Sequence, residues 1–145
     1  MRKLLIGAAA LIFAATAVPA WAQESSVKPA GYWTASRIDV LDGQFENYMD
    51  YLTRVWIPNQ EYAKSQGWIT DFAVLTTMNA RQGEPDVVLI TRFAEFPSLA
   101  EQERRNTIIN QRNKWDDHSA DAASGQRGKM RELIGSVMYQ EQVKR

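Results

Sequence analysis

The sequence has no cysteine and a single histidine, His118. Without thiols there is no thiolate nucleophile, no disulfide, no Cys-ligated zinc and no iron–sulfur cluster. One histidine excludes a multi-His metal site within one chain. Neither sign of charge is in excess, because 17 Lys and Arg balance 17 Asp and Glu. No basic field is therefore available to hold nucleic acid, and no block of like charge forms an interaction tail. A Gly-rich phosphate loop is also missing: Gly125-Gln126-Arg127-Gly128 is too short and is expected to precede a strand, not to open a helix.

Long apolar runs are confined to the N-terminus. Arg2 and Lys3 form a short positive region, Leu4 to Val18 is uncharged and apolar, and Pro19 ends it ahead of Ala20-Trp21-Ala22. That order predicts a cleavable secretory signal peptide over residues 1–22. The apolar stretch is shorter than the roughly 20 residues a membrane span requires. The expectation is thus a secreted or periplasmic protein with no stable membrane insertion after cleavage. With no Cys beside the cleavage site, a lipid anchor is excluded. Arg2 and Lys3 leave with the peptide, taking the net charge from 0 to −2. The remainder suits one domain with a single core.

Residues 23–30 are polar, contain Pro29, and read as a flexible leader. From Tyr32 to Val40 the chain alternates, with Tyr32, Thr34, Ser36, Ile38 and Val40 on one side and Trp33, Ala35, Arg37 and Asp39 on the other, which predicts a strand. Phe45, Tyr48, Met49, Leu52, Val55 and Trp56 then recur at helical spacing. Pro58 is expected to kink or restart that helix, and Gly67 to stop it. Ile69–Met78 and Asp86–Phe93 read as a strand pair joined by the loop 79–85. Ser98 with Glu101 predicts a capping box opening a second helix. That helix either runs to Ser124, stopped by Gly125, or breaks near Asp116-Asp117. Gln126–Met130 reads as a loop and Leu133–Tyr139 as the last strand, with Leu133, Gly135, Val137 and Tyr139 on one face. A charged tail covers 142–145.

The order is β-α-β-β-α-β, so the expected fold class is α+β. Specifically it is the ferredoxin-like pattern: a four-stranded antiparallel sheet with two long helices on one face. Val88 and Ile90 are apolar, as are Val87 and Leu89 on the opposite side of the same strand. A sheet with one solvated face should separate the two classes more cleanly. The second face therefore needs a cover, and the simplest is the same sheet of a second chain in a homodimer.

With this order, with the first helix ending in Ala63-Lys64-Ser65-Gln66-Gly67-Trp68, and with Phe93 to Ser98 leading into the second helix, the chain resembles the dimeric α+β barrel superfamily over about 31–141. Among its members it resembles secreted bacterial proteins of uncharacterised activity. The resemblance implies two sheets packed face to face. It includes cofactor-free monooxygenases, haem-degrading enzymes and proteins with no known activity, and fold alone does not choose among them. Trp68, Trp115 and His118 do not map onto the haem-degrading motif residue by residue, and no cofactor is expected.

Candidate sites follow from residue chemistry. Tyr48, Trp56, Tyr62, Trp68 and Trp115 are expected to line an apolar pocket between helices and sheet, or else to be core. Arg37, Asp39, Arg92 and Glu132 are charges within strands, able to hold a polar group or to form structural ion pairs. The residues selected as ligand-binding are Tyr48, Trp56, Tyr62, Arg92 and Trp115. Asp116, Asp117, His118 and Asp121 contain metal-ligand types but read as a solvated helix end, so no metal site is assigned, and no catalytic residue is selected. The expected function is binding of a small apolar or aromatic molecule. The alternatives are a cofactor-free, monooxygenase-like oxidoreductase acting on a quinol-like substrate, and a structural or partner-binding dimer.

Overall fold

Alternation of side chains sets the first element. Strand β1 (Val27–Val40) is the spine of the sheet and pairs with β3 (Val87–Phe93) on one side and β4 (Arg131–Lys144) on the other. A computed structural model describes residues 24–145; the expected signal peptide lies outside the described residues. Strand β2 (Asp71–Thr76) pairs with the far side of β3, which gives the order β2-β3-β1-β4 with every neighbour antiparallel. The fold is α+β, with an open four-stranded antiparallel sheet and helices packed on it. Among the described residues no helix is long and apolar enough to cross a membrane.

The helical region after β1 runs without interruption as α1 (Phe45–Tyr51), a π turn (Leu52–Trp56) and α2 (Ile57–Ser65). The α-helical pitch restarts at Ile57, with Pro58 in the first turn of α2. The Pro58 ring would crowd the carbonyl four residues back, and it has no N–H to donate. The preceding turn widens instead, with the Ile57 N–H reaching back to the Leu52 carbonyl. Gly67, at φ 70, ends the region in the left-handed conformation that suits glycine.

The second helical region is broken. Helix α3 (Leu99–Arg112) is capped by Ser98, whose hydroxyl accepts from the Glu101 N–H at 3.3 Å. Only that half of the expected capping box forms, because the Glu101 carboxylate turns to Arg104 and Arg105. Lys114 then adopts φ 57, and α4 (Asp117–Gly128) starts on a complete capping box between Asp116 and Ser119. The expected stop at Gly125 and loop at Gln126–Met130 are overturned: the helix continues to Gly128. Two long helices thus become two helical regions, the second split at Lys114. A left-handed L-residue costs about 1–2 kcal/mol. Lys114→Gly is therefore expected to raise stability by about 0.5–1 kcal/mol in a denaturant melt, part of the gain being offset by glycine's freer unfolded chain.

The ends of the domain depart from expectation too. The leader and tail pair with each other, Val27 with Lys144 and Pro29 with Gln142, so that β1 and β4 each run for 14 residues. Proline is tolerated because β3 pairing begins only at Tyr32, leaving β1 with one neighbour at Pro29. A register shift separates Pro29 from Tyr32, and Gly31 sits in it. A Cβ on Gly31 would lie 2.5 Å from the Phe93 carbonyl oxygen. Because that neighbour is backbone, Gly31→Ala is expected to cost about 1–3 kcal/mol, read as a lower denaturation midpoint.

Strand β4 breaks its expected alternation. Gly135 lies opposite Arg37, but Leu133 lies opposite Ile38, so Ile134 is an extra residue in a bulge. Leu133 consequently faces the helices, while Val137 and Tyr139 face away.

The core is small and sits under α1 and the π turn. Ile38, Tyr48, Leu52 and Val87 are each at most 1% exposed, with Met49, Trp56, Val74, Leu89 and Met130 packed around them. The other face of the sheet is uncovered in the single chain. It carries Leu75 at 49% exposure, Val137 at 40% and Tyr139 at 56%.

Candidate functional site

On the helix-facing side, β1 presents Ser36 and Ile38 and β3 presents Leu89. Helix α1 lays Tyr48 and Tyr51 over them, one turn apart and stacked at 6.0 Å between ring centroids. The π turn adds Trp56, which meets Phe72 edge-on at 5.7 Å. The left-handed Lys114 turns the chain so that Trp115 closes the far side. Arg127 near the end of α4, with Arg131 and Leu133 at the start of β4, completes a cleft of about 320 Å³.

Three of the five selected residues, Tyr48, Trp56 and Trp115, line this one cleft. Tyr62 does not. It packs edge-on against Trp68 at 5.6 Å and carries the Arg112 guanidinium over its ring. Arg92 lies on the uncovered face, donating Nε–H to Glu141 at 3.0 Å and stacking over Trp33. Its charge is spent on a structural ion pair. The remaining strand charges are also occupied or exposed. Arg37 donates to the Gly83 carbonyl at 3.3 Å, and Glu132 is exposed across from Asp39.

Electrostatics distinguish the cleft. Burial pushes the Tyr48 hydroxyl pKa above its ordinary value, with Arg131 and Arg127 pulling the other way. It is therefore neutral near pH 7 and is a hydrogen-bond donor. Arg127 lies over the Tyr51 ring at 5.6 Å. The Nε of Arg131 is buried and has no acceptor among the described residues. No carboxylate and no imidazole lines the cleft. His118 is exposed on the first turn of α4, and Asp116 is that helix's cap. Among the described residues no group of three acidic, His or Cys side chains is placed to hold a metal ion.

A second cleft of about 390 Å³ opens between α2, α3 and β3, lined by Trp68, Phe93 and Arg105 among others. Its one charged group is already committed. Arg105 binds the Glu101 carboxylate at 2.6 Å and the Trp68 carbonyl at 3.3 Å, and Arg104 with Arg105 holds Glu101 at a pKa of about 2. The other polar groups of this second cleft, Gln60, Gln102 and Asn106 among them, are neutral. A third cleft, of about 450 Å³, brings Arg131 together with Glu132 and has no aromatic lining. The Tyr48 cleft is the one of the three that joins aromatic rings to two arginines with no carboxylate in its lining.

Elsewhere, Asp39 has its pKa raised, first by a side-chain hydrogen bond with Asp86, then by desolvation and by the Asp86 charge. Asp86 in turn accepts from the Val40 N–H at 2.8 Å. A raised acid means the folded state holds its proton more tightly than the unfolded state, so its ionisation is destabilising above the raised value and costs nothing below 3.8. Asp39→Asn, which keeps a donor toward Asp86, is expected to raise the melting temperature at pH 7. The gain should vanish in melts below pH 3.8.

Tyr51, Arg127 and Arg131 were not selected from the sequence. Tyr51 follows Tyr48 by three residues, a spacing that marks it as a neighbour on the helix. The two arginines fell in an expected loop and at a strand end, where no periodicity marks a face.

Compared with known proteins, the chain matches no protein-family model and no curated protein. Among solved structures, HapK from Hahella chejuensis is similar at 9% identity and a TM-score of 0.49, over 76% of this chain and 91% of that one.

Proposed function

We propose that this is a secreted or periplasmic protein that binds a small apolar or aromatic molecule in the Tyr48 cleft. The observation that carries the reading is four aromatic side chains, Tyr48, Tyr51, Trp56 and Trp115, converging on about 320 Å³ against the sheet. That volume is at the small end of ligand sites, which are concave, mostly apolar and marked by a few polar groups. Binding is favoured over acid–base catalysis because the ionisable groups there are tyrosines and arginines. A tyrosine with a raised pKa and a guanidinium are both poor bases near neutral pH. The N-terminal pattern of residues 1–22 supports export.

We further propose that the working unit is a homodimer joined through the uncovered sheet face. Leu75, Val137 and Tyr139 are large exposed side chains there, and a monomer rarely leaves such a patch in water. The like face of a second chain is self-complementary under two-fold symmetry.

Native mass spectrometry of the protein purified from its own host tests the binding reading. A retained aromatic compound small enough for the cleft supports it. A mass equal to the bare polypeptide, together with no uptake of added aromatic compounds, contradicts it.

A further inference from the structure

We infer that the molecule taken by the Tyr48 cleft is an anion, specifically an aromatic carboxylate, whose charged end is held by Arg131 and Arg127. The inference deepens the aromatic-cleft reading and rests on it. Of the ten arginines among the described residues, six, Arg54, Arg81, Arg92, Arg104, Arg105 and Arg145, have a carboxylate partner. Of the other four, Arg37 donates to the Gly83 carbonyl and Arg112 lies over Tyr62, while the two at the cleft have no carboxylate partner among the described residues. The nearest acid along the chain, Glu132, lies across from Asp39 on the opposite face of the sheet.

Arg131 is the more telling of the two. Its Nε–H is buried with no acceptor, and the side-chain partner of its guanidinium at the cleft is the neutral Tyr48 hydroxyl, not a counter-charge. Such a group costs free energy until an acceptor arrives. A guanidinium presents its N–H groups as a planar fork that matches a carboxylate at two points. Arg127 is fixed by its position over Tyr51 at 5.6 Å, so it needs little ordering to join in. The buried Tyr48 hydroxyl, beside Arg131, adds a neutral donor. Around these donors the walls are Trp56, Trp115, Leu89 and Ile38, which offer ring faces and aliphatic surface but no acid. A neutral aromatic would fill the walls and leave the two guanidinium charges without a counter-charge; a carboxylate fills the walls and supplies one.

The test uses two probes of the same shape, 2-naphthoate and 2-naphthalenemethanol, titrated calorimetrically into protein expressed from the full-length chain. The carboxylate is expected to bind about 10-fold tighter or more than the alcohol. R131Q is expected to shrink that ratio to about 2-fold or less, since it removes the charged half of the contact. If R131Q fails to fold, R127Q and the wild-type ratio still decide. Equal affinity of the wild type for both probes overturns the anion inference and leaves the aromatic-cleft reading standing. Failure of both probes to bind overturns both.

Discussion

Replacing Ile90 by Asp is expected to leave a monomer, and the wild-type protein is expected to sediment as the proposed dimer. Ile90 lies at the middle of the uncovered face, between Ala35 of β1 and Ala73 of β2. In a sheet-to-sheet interface an Asp there would be stripped of water, and the cations on the same face are already engaged, Arg92 with Glu141 and Arg37 with the Gly83 carbonyl. Desolvating a carboxylate without a partner costs several kcal/mol. Each 1.4 kcal/mol is a factor of ten in the dissociation constant, so the dimer should weaken by about 100-fold or more. In a lone chain the same face is open, and the variant should keep its far-UV spectrum and its monomer fold. Sedimentation at micromolar concentration reads the result. A wild-type monomer under those conditions would remove the sheet-to-sheet interface. A variant that stays dimeric would move the interface elsewhere.

Leu52→Ala is expected to have the largest effect on stability. Leu52 is 1% exposed and packs with Ile38, Tyr48 and Val87, the four residues that form the centre of the core. Truncating a buried leucine typically costs about 2–5 kcal/mol, from lost transfer energy and the cavity left behind. Domains of this size are commonly stable by only about 5–15 kcal/mol, so the variant should unfold at a much lower denaturant concentration with an unchanged slope. Its neighbour Thr53 is exposed, and Thr53→Ala is the matched control. A loss below about 1 kcal/mol for Leu52→Ala would mean that the π turn is not docked as described.

How much of this was legible in the sequence depends on the range of the physics involved. The alternation of Tyr32 to Val40 assigned each side chain to its correct face, because a strand's period is local. The apolar stripe from Phe45 to Trp56 likewise located the helix that covers the core. Features set by distant partners were not legible. The bulge at Ile134 arises from pairing with Arg37 and Ile38, about a hundred positions away, and it sends Leu133 to the face opposite the one its alternation implied. The pairing of the leader with the tail is non-local in the same way. The restart at Pro58 follows from its missing donor, but the wider turn ahead of it was not legible, because apolar spacing does not reveal a change of pitch. At the site, the aromatic residues could be selected by type, but Tyr62 and Trp56 share a helical region and still diverge into different clusters. Arg127 and Arg131 were not legible because their places depend on non-local structure: α4 runs on to Gly128 and carries Arg127, and Arg131 opens β4.

The placement of an aromatic ligand against Tyr48, Trp56 and Trp115 is tested most directly by the tryptophan indole N–H signals in a 1H–15N spectrum. The described residues hold four tryptophans in three environments: Trp56 and Trp115 in the cleft, Trp68 in the second cleft, and Trp33 on the uncovered face. Adding 2-naphthalenemethanol is expected to shift the Trp56 and Trp115 signals and leave Trp33 and Trp68 in place. Shifts confined to Trp33 or Trp68, or no shift at saturating probe, would contradict the account.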